Sequence, residues 1–236
     1  MSPSFLIVRF SAIGDCVMAA YVATAIRHAN PGAGISWAVE TRCRPILDEE
    51  RLLDEIVDFP RDQWRNARWS PNTWREQILR FSRLRSRKFD FGIDLQGHSK
   101  TAICLRIARP TSRIAAFATD RFARRLNPLA PGDPDALHRV ERMLETASRF
   151  GILEMPEKPL TPKPIGLESL GLDADERIAT ISTGAGAIEK QYPANQWQEV
   201  ARNLVQNGYQ VIWLGAKPDP RIGEPGTTDR VAQWRL

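Results

Sequence analysis

The chain has 236 residues, 42% hydrophobic and 8% aromatic, enough for a packed core in one large or two modest domains. Its apolar runs fall short of the roughly 18 residues that span a bilayer. The first is broken by Arg9 and Asp15, so neither a membrane-crossing helix nor a signal peptide is expected and the chain is read as cytoplasmic. Of the net charge of +5, residues 61–88 carry nine Lys/Arg against Asp62 and Glu76, which confines the basicity to one region.

Residues 5–8 form a short β-branched and aromatic run, read as a strand that Arg9 and Phe10 carry to the edge of the sheet. The turn Ser11-Ala12-Ile13-Gly14-Asp15 then opens an apolar helix. Gly14 is expected to adopt a backbone conformation that other residues avoid, and Asp15 to stand where the helix begins. A ligand approaching this turn would meet free N–H groups, the positive end of a helix dipole and one carboxylate. The same aspartate also reads as an ordinary helix cap.

After the turn Asn30-Pro31-Gly32, residues 34–40 predict a second strand, residues 44–53 a short helical piece and residues 55–59 a third strand ended by Pro60. Arg61, Arg65 and Arg68 are placed in a loop just beyond that strand, where open α/β sheets gather ligands. Residues 72–87 predict a helix with Trp74, Ile78, Leu79, Phe81 and Leu84 as its apolar face. On it, Arg80, Arg83 and Arg87 are spaced to share a side that suits either solvent or an anionic membrane surface.

Residues 89–95 read as a fourth strand, Gln96-Gly97-His98-Ser99 as the next strand-to-helix turn, and residues 100–108 as helix. A fifth strand at 112–117 and helices at 120–126 and 137–150 complete the alternation, which predicts parallel βαβ units in an α/β, doubly wound sheet. Between 151 and 175 the composition shifts, with Pro156, Pro159, Pro162 and Pro164 marking a linker. A strand at 177–182, a helix at 194–206 and a strand at 209–214 repeat the βαβ pattern, while no periodic element is evident from Lys217 on. The predicted organisation is a first domain at 1–150, a linker at 151–175 and a partial second domain at 176–236.

Thr183-Gly184-Ala185-Gly186-Ala187 follows a predicted strand, where a glycine turn lets backbone N–H groups approach a phosphate and Lys190 can add an ammonium. As a dinucleotide fingerprint it is incomplete, lacking the third glycine and an acid after the following strand. His28, His98 and His138 are scattered, so no zinc spacing appears and no metal is expected. Cys16, Cys43 and Cys104 read as reduced core thiols. The basic run with Trp64, Trp69 and Trp74 has the composition of a nucleic-acid surface, yet most of it is helix without a docking motif, and no nucleic-acid partner is expected.

Several fragments line up in order: Ser11-Ala12-Ile13-Gly14-Asp15, Trp64-Arg65, Asp94-Leu95-Gln96-Gly97-His98-Ser99-Lys100, His138-Arg139-Val140-Glu141-Arg142, Gly184-Ala185-Gly186, and Lys190-Gln191-Tyr192-Pro193 with Trp197. This ordered set resembles the lipopolysaccharide heptosyltransferases of glycosyltransferase family 9, closest to the type I enzymes. The resemblance implies a GT-B fold of two Rossmann-like domains facing across a cleft, with the second incomplete here. It implies inverting transfer of heptose from ADP-heptose to a Kdo-lipid A acceptor, without metal or cofactor, by a monomer at the inner leaflet of the inner membrane. By residue, it implies Asp15 as general base. Gly14, Arg61, Arg65, Gln96, Lys100, Arg121 and Arg124 fall on the acceptor side, and Thr183, Gly184, Ala185, Gly186 and Lys190 on the nucleotide-sugar side.

Two departures stand out. The type I loop is a denser Arg-Arg-Trp-Arg-Lys run where this chain has Asp62-Gln63-Trp64-Arg65-Asn66, and the family's later Asp-Thr-Gly…His motif does not occur before Leu236. The sequence is therefore read as a shortened copy. A binding module that holds an anionic lipid or sugar without catalysis is the alternative, ahead of an NAD-dependent Rossmann enzyme.

Overall fold

The computed structural model describes residues 2–47, 52–133, 135–159, 175–184, 188–214 and 227–229. The chain divides into two units, Met1–Pro162 and Lys163–Leu236.

In the first unit the central strand β1 (Ser4–Val8) leads into α1 (Ile13–Ala29), followed by β2 (Gly34–Glu40), a 3₁₀ turn at Thr41–Ile46 and β3 (Glu55–Phe59). Then come α2 (Arg61–Asn66), α3 (Pro71–Ser86), β4 (Phe91–Asp94), α4 (Ser99–Ala108), β5 (Ser112–Ala115), α5 (Arg121–Leu126) and α6 (Arg139–Ser148). The five strands pair in parallel in the order β3-β2-β1-β4-β5.

The apolar run of β1 explains its central place. Phe5 and Ile7 point into a cluster shared with α1 and α6, while Leu6 and Val8 point into one shared with α3 and α4. A strand buried on both faces needs side chains that are apolar on both, and Phe5 to Val8 of β1 supply them. At the end of β4, Gly97 has φ +75°, and a Cβ there would come within 2.4 Å of the Phe117 carbonyl oxygen, so this turn admits only glycine.

The structure corrects several sequence expectations. Arg61 and Arg65 lie on α2, not in a loop. The helix is six residues long and too short to show a period, and it is anchored by Trp64, which packs edge-on against Phe59 and donates to Glu76 Oε2 at 2.9 Å. The piece expected at 44–53 is a 3₁₀ turn at Thr41–Ile46, with residues 48–51 outside those described. On α3 only part of the expected apolar face turns inward: Leu84 is buried and Phe81 packs on Phe59, whereas Trp74, Ile78 and Leu79 are exposed.

In the second unit β6 (Ile178–Ser182), α7 (Ala194–Gln206) and β7 (Gln210–Leu214) form a βαβ element whose core is Ile181, Ala201, Val211 and Trp213. A further strand, β8 (Thr227–Asp229), pairs in parallel with β7, in a region where no element was expected. Most of the proline-rich stretch, residues 160–174, lies outside the described residues. No helix among the described residues is long and apolar enough to cross a membrane.

Candidate active site at the sheet switch point

With strand order 3-2-1-4-5, the chain leaves β1 and β4 in opposite directions, and ligands of open α/β sheets bind at the carboxyl ends of such a neighbouring pair. The β1–α1 turn carries Asp15 to this point, and the β4–α4 turn carries Gln96 and Lys100.

Asp15 is the third residue of α1, after the N-cap Ala12, and not the cap itself. Its Oδ2 accepts the Ala12 N–H at 3.1 Å and pairs with Arg9 Nη2 at 2.7 Å. Arg9, read as a sheet-edge residue, is only 3% exposed, and its Nη1 donates to the Leu95 carbonyl at the end of β4. Both contacts of the carboxylate fall on one oxygen. Oδ1 meets no protein donor among the described residues, and the side chain keeps 29% of its surface open. The first N–H groups of α1 have no carbonyl within the helix to satisfy them. Gly14 does not have the left-handed backbone expected of it; a Cβ there would meet nothing within 4 Å, so its contribution is open space beside Asp15.

The turn is held from β4. Gln96 Oε1 accepts the Phe10 N–H at 2.8 Å and the Ser11 N–H at 3.4 Å, so this expected acceptor contact is a buried brace. Beneath it, Asp94 Oδ1 accepts the N–H groups of Gln96 and Gly97, both at 2.9 Å. Burial, partly offset by these two N–H groups, pushes the Asp94 carboxyl up to about 6.

A cationic rim borders the turn. Glu40, buried at the end of β2, pairs with Arg61 at 2.6 Å and Arg42 at 2.9 Å, and the Arg61 guanidinium lies over the Phe10 ring. Lys100 is exposed on α4, and partial desolvation, followed by the field of Arg61, holds its ammonium below the usual range. Arg65 points outward and pairs with Asp62 at 2.9 Å. Arg121 and Arg124 are exposed on α5, whose cap Asp120 accepts Ser99 Oγ at 2.7 Å and so ties α5 to the start of α4. The Ala123 N–H, followed by the Ser99 hydroxyl, holds the Asp120 carboxyl down at about 2.

In the second unit Thr183 and Gly184 follow β6 directly, and Lys190 is exposed on a short 3₁₀ turn before α7. Ala185 and Gly186 lie outside the described residues. Arg9, Glu40 and Asp94 escaped the sequence reading of the site. For Glu40 and Asp94 the available signal was a charged residue at the last position of an apolar strand, where a core-facing charge needs a partner. Arg9, just past the end of β1, carried no such signal.

The family model for glycosyltransferase family 9 (heptosyltransferase) matches residues 79–231. Lipopolysaccharide heptosyltransferase 1 of Pseudomonas aeruginosa is 28% identical over 92% of this chain and 63% of its own length. The protein of the same name from Escherichia coli K12 is 23% identical over 87% of this chain and 66% of its own. The chain thus spans a little under two thirds of these relatives. Among solved structures, an E. coli heptosyltransferase WaaC with ADP-2-deoxy-2-fluoro heptose superposes with a TM-score of 0.73 at 21% identity, covering 91% of this chain and 70% of that one. A family 9 glycosyltransferase from Veillonella parvula gives 0.76 at 14% identity, covering 99% and 70%.

Proposed function

Since the chain belongs to glycosyltransferase family 9, the heptosyltransferases, we propose that it takes part in building the lipopolysaccharide inner core by moving heptose from ADP-heptose to a Kdo-lipid A acceptor at the inner leaflet of the inner membrane. One observation carries the assignment of chemistry: among the described residues Asp15 presents Oδ1 without a protein donor while Oδ2 is fixed by Arg9 and the Ala12 N–H. A general base needs an uncommitted lone pair and a fixed orientation, and these two contacts leave this carboxylate with both.

In the proposed reaction the acceptor hydroxyl gives its proton to Asp15 as its oxygen forms the new bond to the anomeric carbon. The bond from that carbon to the diphosphate breaks, ADP leaves with the electron pair, and the configuration inverts. Arg61 and Lys100, with Arg65, Arg121 and Arg124, are proposed to meet the anionic acceptor. In the second unit Thr183, Gly184, Ala185, Gly186 and Lys190 are proposed to hold the nucleotide sugar, with the Lys190 ammonium offsetting the charge that grows on the leaving diphosphate. The ADP-sugar in the E. coli relative supports this choice of donor.

The test is Asp15→Asn, assayed for ADP-heptose-dependent transfer to Kdo-lipid A. Asn keeps the size and can still accept the Ala12 N–H, but it removes the charge paired with buried Arg9, so the melting temperature should fall. Turnover, compared where circular dichroism shows both proteins folded, should fall by about 10²–10⁴. Unchanged turnover would remove Asp15 from this role. Calorimetric binding of the acceptor without affinity for ADP-heptose would instead identify a binding module.

A further inference from the structure

The sequence placed Arg80, Arg83 and Arg87 on one side of α3 suited to solvent or to an anionic membrane, but the structure turns Arg80 inward to Asp58 and Glu76, and Arg87 to Glu55. What α3 shows to solvent is different. At about 3.6 residues per turn, Trp74, Ile78 and Arg85 line one border of its outer arc, Leu79 and Arg83 the other, with Arg75 between. Trp74 is 55% exposed and Ile78 65%, and Trp69, just before the helix, is 80% exposed beneath the Arg68 guanidinium. No carboxylate pairs with Arg68, Arg75, Arg83 or Arg85 among the described residues, and the only acid of α3, Glu76, is engaged by Trp64 and Arg80.

We propose that this outer face of α3 docks the protein onto an anionic lipid bilayer, with Trp69, Trp74, Ile78 and Leu79 entering the interface and the arginines meeting lipid phosphates. The charge complementarity selects the occupant. A helix face of bulky apolar side chains interleaved with unpaired cations fits a surface that is apolar below and negative above. A nucleic acid would use the two tryptophans as stacking platforms but would leave Ile78 and Leu79 without a partner. The face rests on the proposed inner-leaflet location for the identity of its membrane, and lies on the helix that follows α2, which carries Arg61.

The experiment is co-sedimentation of the full chain with vesicles of phosphatidylcholine alone or with about one third phosphatidylglycerol. Two exposed-site variants are compared, Arg75→Gln/Arg83→Gln/Arg85→Gln and Trp74→Ser/Ile78→Ser, each checked by circular dichroism. Binding only to the anionic vesicles is expected. The partition coefficient should fall about a hundredfold in the arginine variant and at least about tenfold in the apolar one. Equal binding to both vesicle types, or an unaffected partition in either variant, would overturn the proposal. So would displacement by single-stranded RNA of the protein from vesicles, if the apolar variant still bound that RNA. Asp15→Asn should bind vesicles like the unsubstituted chain, and transfer to a soluble acceptor without acyl chains should survive both α3 variants, so loss of chemistry and loss of docking read out separately.

Discussion

Gln96 Oε1 accepts the backbone N–H of Phe10 at 2.8 Å, so the end of β4 holds the turn that begins after β1. The bond lies in a buried place, and its loss strands a donor. Through Ser11, which the same oxygen reaches at 3.4 Å, and Ala12, whose N–H holds Asp15, the brace extends to the proposed base.

Gln96→Leu is expected to destabilise the first unit by about 1–3 kcal/mol, the cost of leaving a buried N–H unsatisfied. Transfer should fall in kcat, since the turn that orients Asp15 loosens. A direct acceptor contact would show the opposite signature, a raised KM for acceptor at unchanged stability. Urea denaturation together with steady-state kinetics separates the two.

Asp94 predicts a pH effect. Its carboxyl titrates at about 6 in the folded chain, raised by burial, against about 3.9 for an unfolded aspartate. A proton is held more tightly in the folded state, so this group favours folding at acid pH, and the advantage is lost as pH rises through 6. Asp94→Asn keeps an oxygen for the Gln96 and Gly97 N–H groups, which share Oδ1, and removes the buried charge. Relative to the parent, the variant should gain about 1–3 kcal/mol between pH 4.5 and 7.5. Acid-side losses from Asp120 occur in both proteins and cancel. Parallel urea midpoints across that range would refute the assignment.

The alternation of strands and helices was legible because a both-faces-buried strand such as Phe5-Leu6-Ile7-Val8 and a periodic helix such as Ala194–Gln206 write their environment into successive residues. The site was legible in part. Asp15 could be found from its turn, but Arg9 could not, because pairing with a residue six positions on and with the Leu95 carbonyl is a tertiary property. The α3 face was misjudged for a related reason. Trp74, Ile78, Leu79, Phe81 and Leu84 make an apolar arc wider than the core covers, and only packing on Phe59 decides which part is inside. A short helix such as α2 leaves no period to read.

Gly14 offers a test in which stability and activity move oppositely. It is the second residue of α1, with ordinary helical backbone and open space where a Cβ would stand. Gly14→Ala should therefore stabilise the fold by about 0.5–1 kcal/mol by restricting the unfolded chain. If acceptor or sugar approaches the α1 N-terminus beside Asp15, the added methyl should cut transfer by at least about tenfold, the rate equivalent of about 1.4 kcal/mol. A higher melting temperature with unchanged kinetics would mean that the space is never used.

Arg142 belongs to a fragment of the family resemblance, yet its surroundings are structural. It is buried on α6, where Nε donates to the Ala116 carbonyl at 3.1 Å, Nη2 to Ala130 at 2.7 Å and Nη1 to Pro131 at 2.6 Å, with Glu145 pairing at 3.0 Å. Three carbonyls of the segment after β5 are thus gathered by one fork and tied to α6. Arg142→Met keeps the bulk but strands all three, so a loss of about 3–4 kcal/mol is expected, from charged hydrogen bonds of about 1.5–3 kcal/mol each that are partly replaced by water. Arg142→Lys reaches fewer carbonyls and should fall between, since an ammonium cannot reproduce the planar fork. Well below the melting temperature both variants should transfer sugar at the parental rate. A selective loss of kcat at full stability would place Arg142 in the chemistry instead of the scaffold.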